Sequence, residues 1–153
     1  MHPTISNLNV NSSIKVFLYE ELENKREVPL TFDRSLSVPK FTRLPETDSI
    51  DKWCSVLFQR KNLQFVSEQV VEFICCSRQD VDQVKLSECI DLLYEVLFPE
   101  ETKCVFPLYN VNEDDIIGHL FLNTFYGESG FGNAIDKTNI CSITVGFKWI
   151  PIL

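Results

Sequence analysis

The chain has 153 residues, of which 44% are hydrophobic and 24% charged, and this is the size and composition of one globular domain. Its formal net charge of −8 argues against a large nucleic-acid footprint and against anionic membrane surfaces, because both require clustered lysine and arginine. No run of eighteen apolar residues is present, so the sequence predicts no membrane span.

The N-terminal residues are mainly polar and lack the apolar stretch of a secretory signal. We therefore predict a mobile tail over residues 1–13 and a single globular domain over residues 14–153. Of the six cysteines, Cys54, Cys75, Cys89 and Cys141 lie within apolar patterns, as small buried hydrophobic residues do. They predict reduced thiols and a cytoplasmic or nuclear, reducing compartment.

After the tail, alternating apolar residues at positions 14, 16 and 18 predict a first strand over Ile14–Leu22. An extended piece is expected over Val28–Phe32. The prolines between there and Pro45 favour an extended, partly irregular crossing over the body of the domain.

Three helices are predicted next. The first spans Asp48–Lys61, where apolar residues recur at helical spacing, and it is expected to dock through Trp53 and Leu57. The second spans Ser67–Cys76, and the third runs from Asp80 or Ser87 to Phe98. The apolar stripe of the first comprises Ile50, Trp53, Cys54, Leu57 and Phe58.

The last third alternates with period two, which is typical of strands. Lys103–Val111 is expected to form a strand that lies at a sheet edge or carries a bulge, because Pro107 lies inside it. Ile116–Ile150 is expected to form two long antiparallel strands joined by a glycine-rich hairpin loop, Gly127–Gly132. The predicted fold is therefore α+β, with a C-terminal three-stranded antiparallel meander and an N-terminal strand packed against about three helices.

Catalytic and metal-binding patterns are weak. His119 with Cys104 or Cys141 would resemble the dyad of a cysteine hydrolase, but no nucleophile turn surrounds either cysteine. A packed or half-exposed strand histidine is the favoured interpretation. Zinc is not predicted, because Cys75 and Cys76 are the only closely spaced pair and adjacent side chains diverge.

Two acidic turns, Glu100–Glu101 and Glu113–Asp115, contain oxygen ligands that suit a hard cation, but solvation explains them equally well. The sequence therefore predicts no catalytic residue, no cofactor and no bound metal. The Gly127–Gly132 segment has the glycines of a phosphate loop, but it contains Glu128 and no lysine, so phosphate would be repelled.

Two segments predict contact with a partner. Phe131 lies between glycines in the expected hairpin loop, where an aromatic side chain can anchor in a pocket. Beyond Lys148 no polar side chain follows, so Trp149, Ile152 and Leu153 would form an exposed apolar patch unless they are covered. They either fold back against the helices or pack against a partner or another copy.

These patterns favour a non-enzymatic protein–protein interaction module or structural subunit of a cytosolic assembly, a class that includes viral accessory and structural proteins. The expected partner is a protein, a second copy, or both, and not nucleic acid. Two alternatives remain: a small hydrolase that uses His119 with a cysteine or carboxylate, and a single-stranded nucleic-acid binder that stacks bases on Phe121, Phe125 and Tyr126.

Overall fold

The structure is a computed structural model that describes residues 6–33, 36, 38–39, 50–59, 68–130, 132–133 and 138–151. Strand residues make up 45% and helical residues 29% of the structure. In chain order the elements are α1 (Asn7–Leu18), a π-helical segment (Tyr19–Asn24), β1 (Leu30–Thr31), β2 (Lys52–Gln59), β3 (Glu68–Ser77), α2 (Val84–Leu97), β4 (Val105–Asn110), β5 (Asp115–Glu128), β6 (Gly132–Asn133) and β7 (Asn139–Pro151).

The strands form one mixed sheet in the order β1-β2-β3-β7-β5-β4, which curls into half a barrel. The β1–β2 pair is parallel and every other pair is antiparallel. The short β6 pairs with the beginning of β7. No helix among the described residues combines the length and the apolar character needed to cross a membrane.

The predicted arrangement of three helices on an antiparallel sheet is wrong. Asp48–Lys61 and Ser67–Cys76, both expected to be helices, contain the strands β2 and β3. Both strands bury side chains on each face, so their apolar residues do not alternate with polar ones. Buried strands of this kind are easily mistaken for helices by their pattern alone.

The strand predicted over Ile14–Leu22 is also wrong, because this stretch continues α1 into the π-helical segment. The buried residues recur every four positions, whereas Val16, expected to share a face with Ile14, is 40% exposed. Asn7–Ser13, assigned from sequence to a mobile tail, form the first half of α1. The buried set is Val10, Ile14, Leu18 and Leu22.

Several other predictions are confirmed. The third predicted helix is α2, and the two long antiparallel strands of the C-terminal third are β5 and β7. The proline-containing strand is β4, which ends the strand order as an edge strand. Leu36 and Val38, described residues of the predicted crossing, pack against the sheet, whereas residues 40–49 lie outside the described part.

The free edge of β4 is closed by α1 and by its own proline. The Tyr109 N–H donates to Ser13 Oγ at 2.9 Å, and the Val111 N–H donates to Asn9 Oδ1 at 3.2 Å. Pro107, two residues before Tyr109, has no N–H to donate. Because two donors at this edge are occupied and a third is missing, this edge is a poor template for another strand.

The two faces of the sheet differ in their cover. The inner face packs against α1 and α2 and holds the main core, in which Val56, Phe73 and Ile143 form one fully buried row across β2, β3 and β7. The outer face carries a second, smaller cluster around Trp53 and Cys76. The described part of the chain covers the outer face at that end only.

Candidate functional site

At the other end of the outer face, β4, β5 and β7 place apolar side chains side by side. Pro107, His119 and Ile150 lie directly opposite one another in one cross-strand row. Val105 and Phe121 form the next row, with Lys148 beyond them. Val105 is 49% exposed and Ile150 is 59% exposed. Val105, Pro107, His119, Phe121 and Ile150 are called the outer patch below.

A groove of about 690 Å³ runs between the outer patch and the connection from α2 to β4. Its walls are mainly apolar, and its polar lining consists of Thr102, Lys103, His119 and Asn123. The remaining lining residues are Leu97, Phe98, Pro99, Cys104, Val105, Phe121, Leu122 and Ile150. This volume lies within the range typical of small-molecule sites.

The groove is lined by both His119 and Cys104, the pair of the hydrolase alternative, although Cys104 belongs to the inner core and His119 lies on the outer face. However, Cys104 is only 6% exposed, and burial together with the nearby Glu21 raises the pKa of its thiol to about 12. A thiol with this pKa is protonated at neutral pH and is a weak nucleophile. Cys141 lies on the inner face, away from the face that carries His119.

Two bulges in β5 separate Phe121 and Phe125, which the regular alternation of a strand would place on the same face. The pairing with β7 shifts between Leu122 and Thr124 and again between Phe125 and Gly127. As a result Phe121 stays on the outer face, whereas the Phe125 ring lies on the helix side, 6.3 Å from Tyr94 and 5.8 Å from Phe98. No residue pattern marks this change of face. The two rings therefore do not form one stacking platform.

The glycine-rich segment is not a hairpin loop, which corrects the sequence interpretation. Ser129 donates its N–H to the Ser142 carbonyl at 2.8 Å, and Gly132 and Asn133 pair with β7. The segment thus continues the antiparallel pairing along β7. Gly127 takes the positive φ of 143° at one bulge. The connection between the paired strands lies after Asn133.

The predicted partner-binding residues are mostly beyond the reach of the structure. Phe131, Ile152 and Leu153 lie outside the described residues. Trp149 belongs to β7, where it lies opposite Leu120 and packs, half-buried, against the inner core. Its binding to a partner stays a prediction.

A carboxylate network in the middle of the outer face was missed from sequence. Glu68 accepts hydrogen bonds from the Tyr126 hydroxyl, the Asn123 amide and the Thr124 hydroxyl. Burial alone would raise the pKa of Glu68, but these donors and Lys148 outweigh it, so the pKa is lowered. The partners are more than fifty residues apart in sequence, so no local pattern marks them.

The Glu68 side chain also lies over Gly146, where a Cβ atom would occupy its position. Glycine here leaves room for the Glu68 carboxylate and does not serve a special backbone conformation. The network joins β3, β5 and β7 across the outer face. It lies between the covered end and the outer patch.

Four thiols meet in the inner core. Cys54, Cys75 and Cys141 form one cross-strand row over β2, β3 and β7, and Cys89 reaches it from α2. The hydrogen bond with Cys54, together with burial, raises the pKa of Cys75 well above its usual value. All six cysteines of the chain are buried and free. Such thiols are unreactive.

Nowhere in the described ranges do three histidine, cysteine or acidic side chains come together in a way that could hold a metal ion. In comparisons with known proteins, the chain matched no protein-family model and no curated protein.

Proposed function

We propose that the protein is a non-enzymatic binding subunit that contacts a protein partner through the outer patch. One observation carries the proposal: three neighbouring strands place Val105, Pro107, Phe121 and Ile150 in two rows, and Val105 and Ile150 stay about half exposed among the described residues. Contiguous apolar surface of this kind is typical of interaction sites. The partner is another protein, a second copy, or both.

The sheet edges support contact through side chains over strand addition. At the edge of β4, α1 occupies the N–H donors of Tyr109 and Val111, and Pro107 removes another. The part of β5 that extends past β4 is interrupted by its two bulges, which disrupt a regular ladder. At this end of the sheet, a partner therefore has the outer patch available to it, whereas the described edges of β4 and β5 offer no regular ladder.

The buried free thiols support a reducing compartment, and we propose the cytoplasm or nucleus. The two alternative functions find less support. The Cys104 thiol lacks activation, and the aromatics of the nucleic-acid alternative are divided between two faces.

The experiment compares the mass of the full chain in solution, and of the complexes it forms in cells, between the native protein and the variants Ile150→Ser and Val105→Ser. We expect the native chain to form an oligomer or a complex with other proteins. Both variants should lose that oligomer or those bound proteins. Val81→Ser is the matched control, because Val81 is 97% exposed but lies outside the patch.

Equal masses and equal companions for all four proteins would contradict the proposal. Loss in the Val81 variant as well would show that any exposed aliphatic side chain contributes, and the outer patch would then have no special role.

A further inference from the structure

We propose that the groove beside the outer patch binds a small anionic amphiphile, a free linear monocarboxylate, with its alkyl chain along the apolar walls and its carboxylate at Lys103. This goes beyond the protein-binding proposal and does not depend on it. The inference rests on the shape of the groove, the composition of its walls and the state of one lysine.

The walls suit an alkyl chain. Phe98 and Pro99 from the connection after α2, and Phe121, Leu122 and Ile150 from β5 and β7, all line the groove. Apolar walls with a few polar groups are the usual composition of small-molecule sites. An alkyl chain that covers Phe98 and Ile150 removes from water side chains that are 43% and 59% exposed.

The charge of the lining selects the head group. Lys103 is the only lysine or arginine among the lining residues, and no acidic side chain is among them. In a chain of net charge −8, such a lining is locally complementary to an anion.

Lys103 is also the one basic side chain in the described ranges without a partner there. Every other lysine and arginine described has an acidic, aromatic or carbonyl neighbour: Lys15 with Phe32, Lys25 and Arg26 with Glu21, Lys52 with Glu88, Arg78 with Ile50, Lys85 with Asp51, and Lys148 with Glu68. An unpaired ammonium at the mouth of an apolar groove is available to a carboxylate.

Glu100 and Glu101 are exposed in the same connection and weaken the positive potential at Lys103. They do not line the groove. Their effect is therefore a screened repulsion of the head group, and its removal should strengthen binding of an anion.

The test is calorimetric titration of the full chain with decanoate, and with decyltrimethylammonium as a probe of equal chain length and opposite charge, both below their micelle concentrations. We expect saturable binding of one decanoate and much weaker binding of the cation. Lys103→Gln should weaken decanoate binding about two- to fivefold, as expected for an exposed ion pair.

Phe98→Ala should weaken binding of decanoate by about tenfold, because it removes an apolar wall. Glu100→Gln combined with Glu101→Gln should strengthen it by about twofold. Lys25→Gln is the matched control, since Lys25 is an exposed lysine paired with Glu21 away from the groove, and it should leave the affinity unchanged.

The inference is wrong if decanoate does not saturate, if the cationic probe binds equally well, or if Lys25→Gln and Lys103→Gln have the same effect. It is also wrong if decanoate binds only while a dimer separates into monomers in parallel light-scattering measurements. In that case a second copy fills the groove, and the protein-binding proposal survives.

Discussion

The two ends of the outer sheet face carry similar side chains in different surroundings. At one end Trp53 and Cys76 are fully buried, and Leu36 and Val38 pack against them. At the other end Ile150 is 59% exposed. An apolar sheet face is stable in water only where something covers it, so the contrast separates surface that the chain covers itself from surface left for another molecule.

The largest effect is expected at the covered end. Trp53→Ala should lower the free energy of unfolding by about 3–5 kcal/mol, because it leaves a cavity beneath a fully buried ring. Denaturant titration measures it. The Trp53 Nε1–H is buried and finds no acceptor among the described residues, so Trp53→Phe, which loses no hydrogen bond and leaves a smaller cavity, should cost less than Trp53→Ala.

A loss within error for Trp53→Ala would erase the contrast between the two ends. It would mean that the segment around Leu36 and Val38 contributes little cover in solution.

Substitutions in the middle of the outer face should lower the free energy of unfolding by less than Trp53→Ala does. Gly146→Ala should cost about 1–2 kcal/mol, because the added Cβ displaces Glu68 from its hydrogen bonds. In a Glu68→Ala background the same change should cost much less. Equal costs in both backgrounds, in a double-mutant cycle, would show that Glu68 is not what Gly146 accommodates.

Glu68 also gives this region a pH dependence. Its pKa is lowered in the folded protein, so its contribution is complete above the ordinary glutamate pKa of about 4.3 and is lost as the pH falls through the lower folded value. Unfolding measured between pH 6 and pH 3 should therefore lose stability more steeply in the native protein than in Glu68→Gln. Parallel curves would contradict the hydrogen-bonded network.

Substitutions in the outer patch should hardly change the free energy of unfolding. Ile150→Ser should change the free energy of unfolding by less than about 0.5 kcal/mol, because the side chain is already mostly in water. Chemical denaturation of dilute protein is the measurement. A cost comparable to that of Trp53→Ala would show that residues outside the described part cover Ile150, and the outer patch would not be open.

Reductant is expected to have no effect on the number of free thiols. Thiol titration in denaturant without reductant should find all six cysteines free, and in the folded protein they should react only as fast as the chain opens. Protected thiol pairs would overturn both the reducing compartment and the structural role of the thiols.

Sequence patterns predicted the elements that are covered on one face only. Amphipathic α2 and the alternating strands β5 and β7 were recognised because their polar and apolar residues follow a clear period. Strand β2 was not, because Trp53 and Cys54 point to opposite faces and both are fully buried. Burial on both faces removes the alternation that identifies a strand.

The candidate site was less predictable for a different reason. His119 and Ile150 could be placed on strands, but their adjacency depends on a register that the sequence does not specify locally. The groove also depends on where the connection after Phe98 passes, and the bulges that redirect Phe125 have no sequence signal of their own. Long-range geometry decided these features.

The contacts that close the β4 edge also determine when the chain can fold. Ser13 and Asn9 lie 96 and 102 residues before their partners Tyr109 and Val111. A chain is synthesised from its N-terminus, so α1 leaves the ribosome long before the strand it must cover exists. Its apolar stripe has no docking site until β4 has been made. Completion of the fold should therefore be slow and late, and the nascent helix is a natural client for chaperones during that interval.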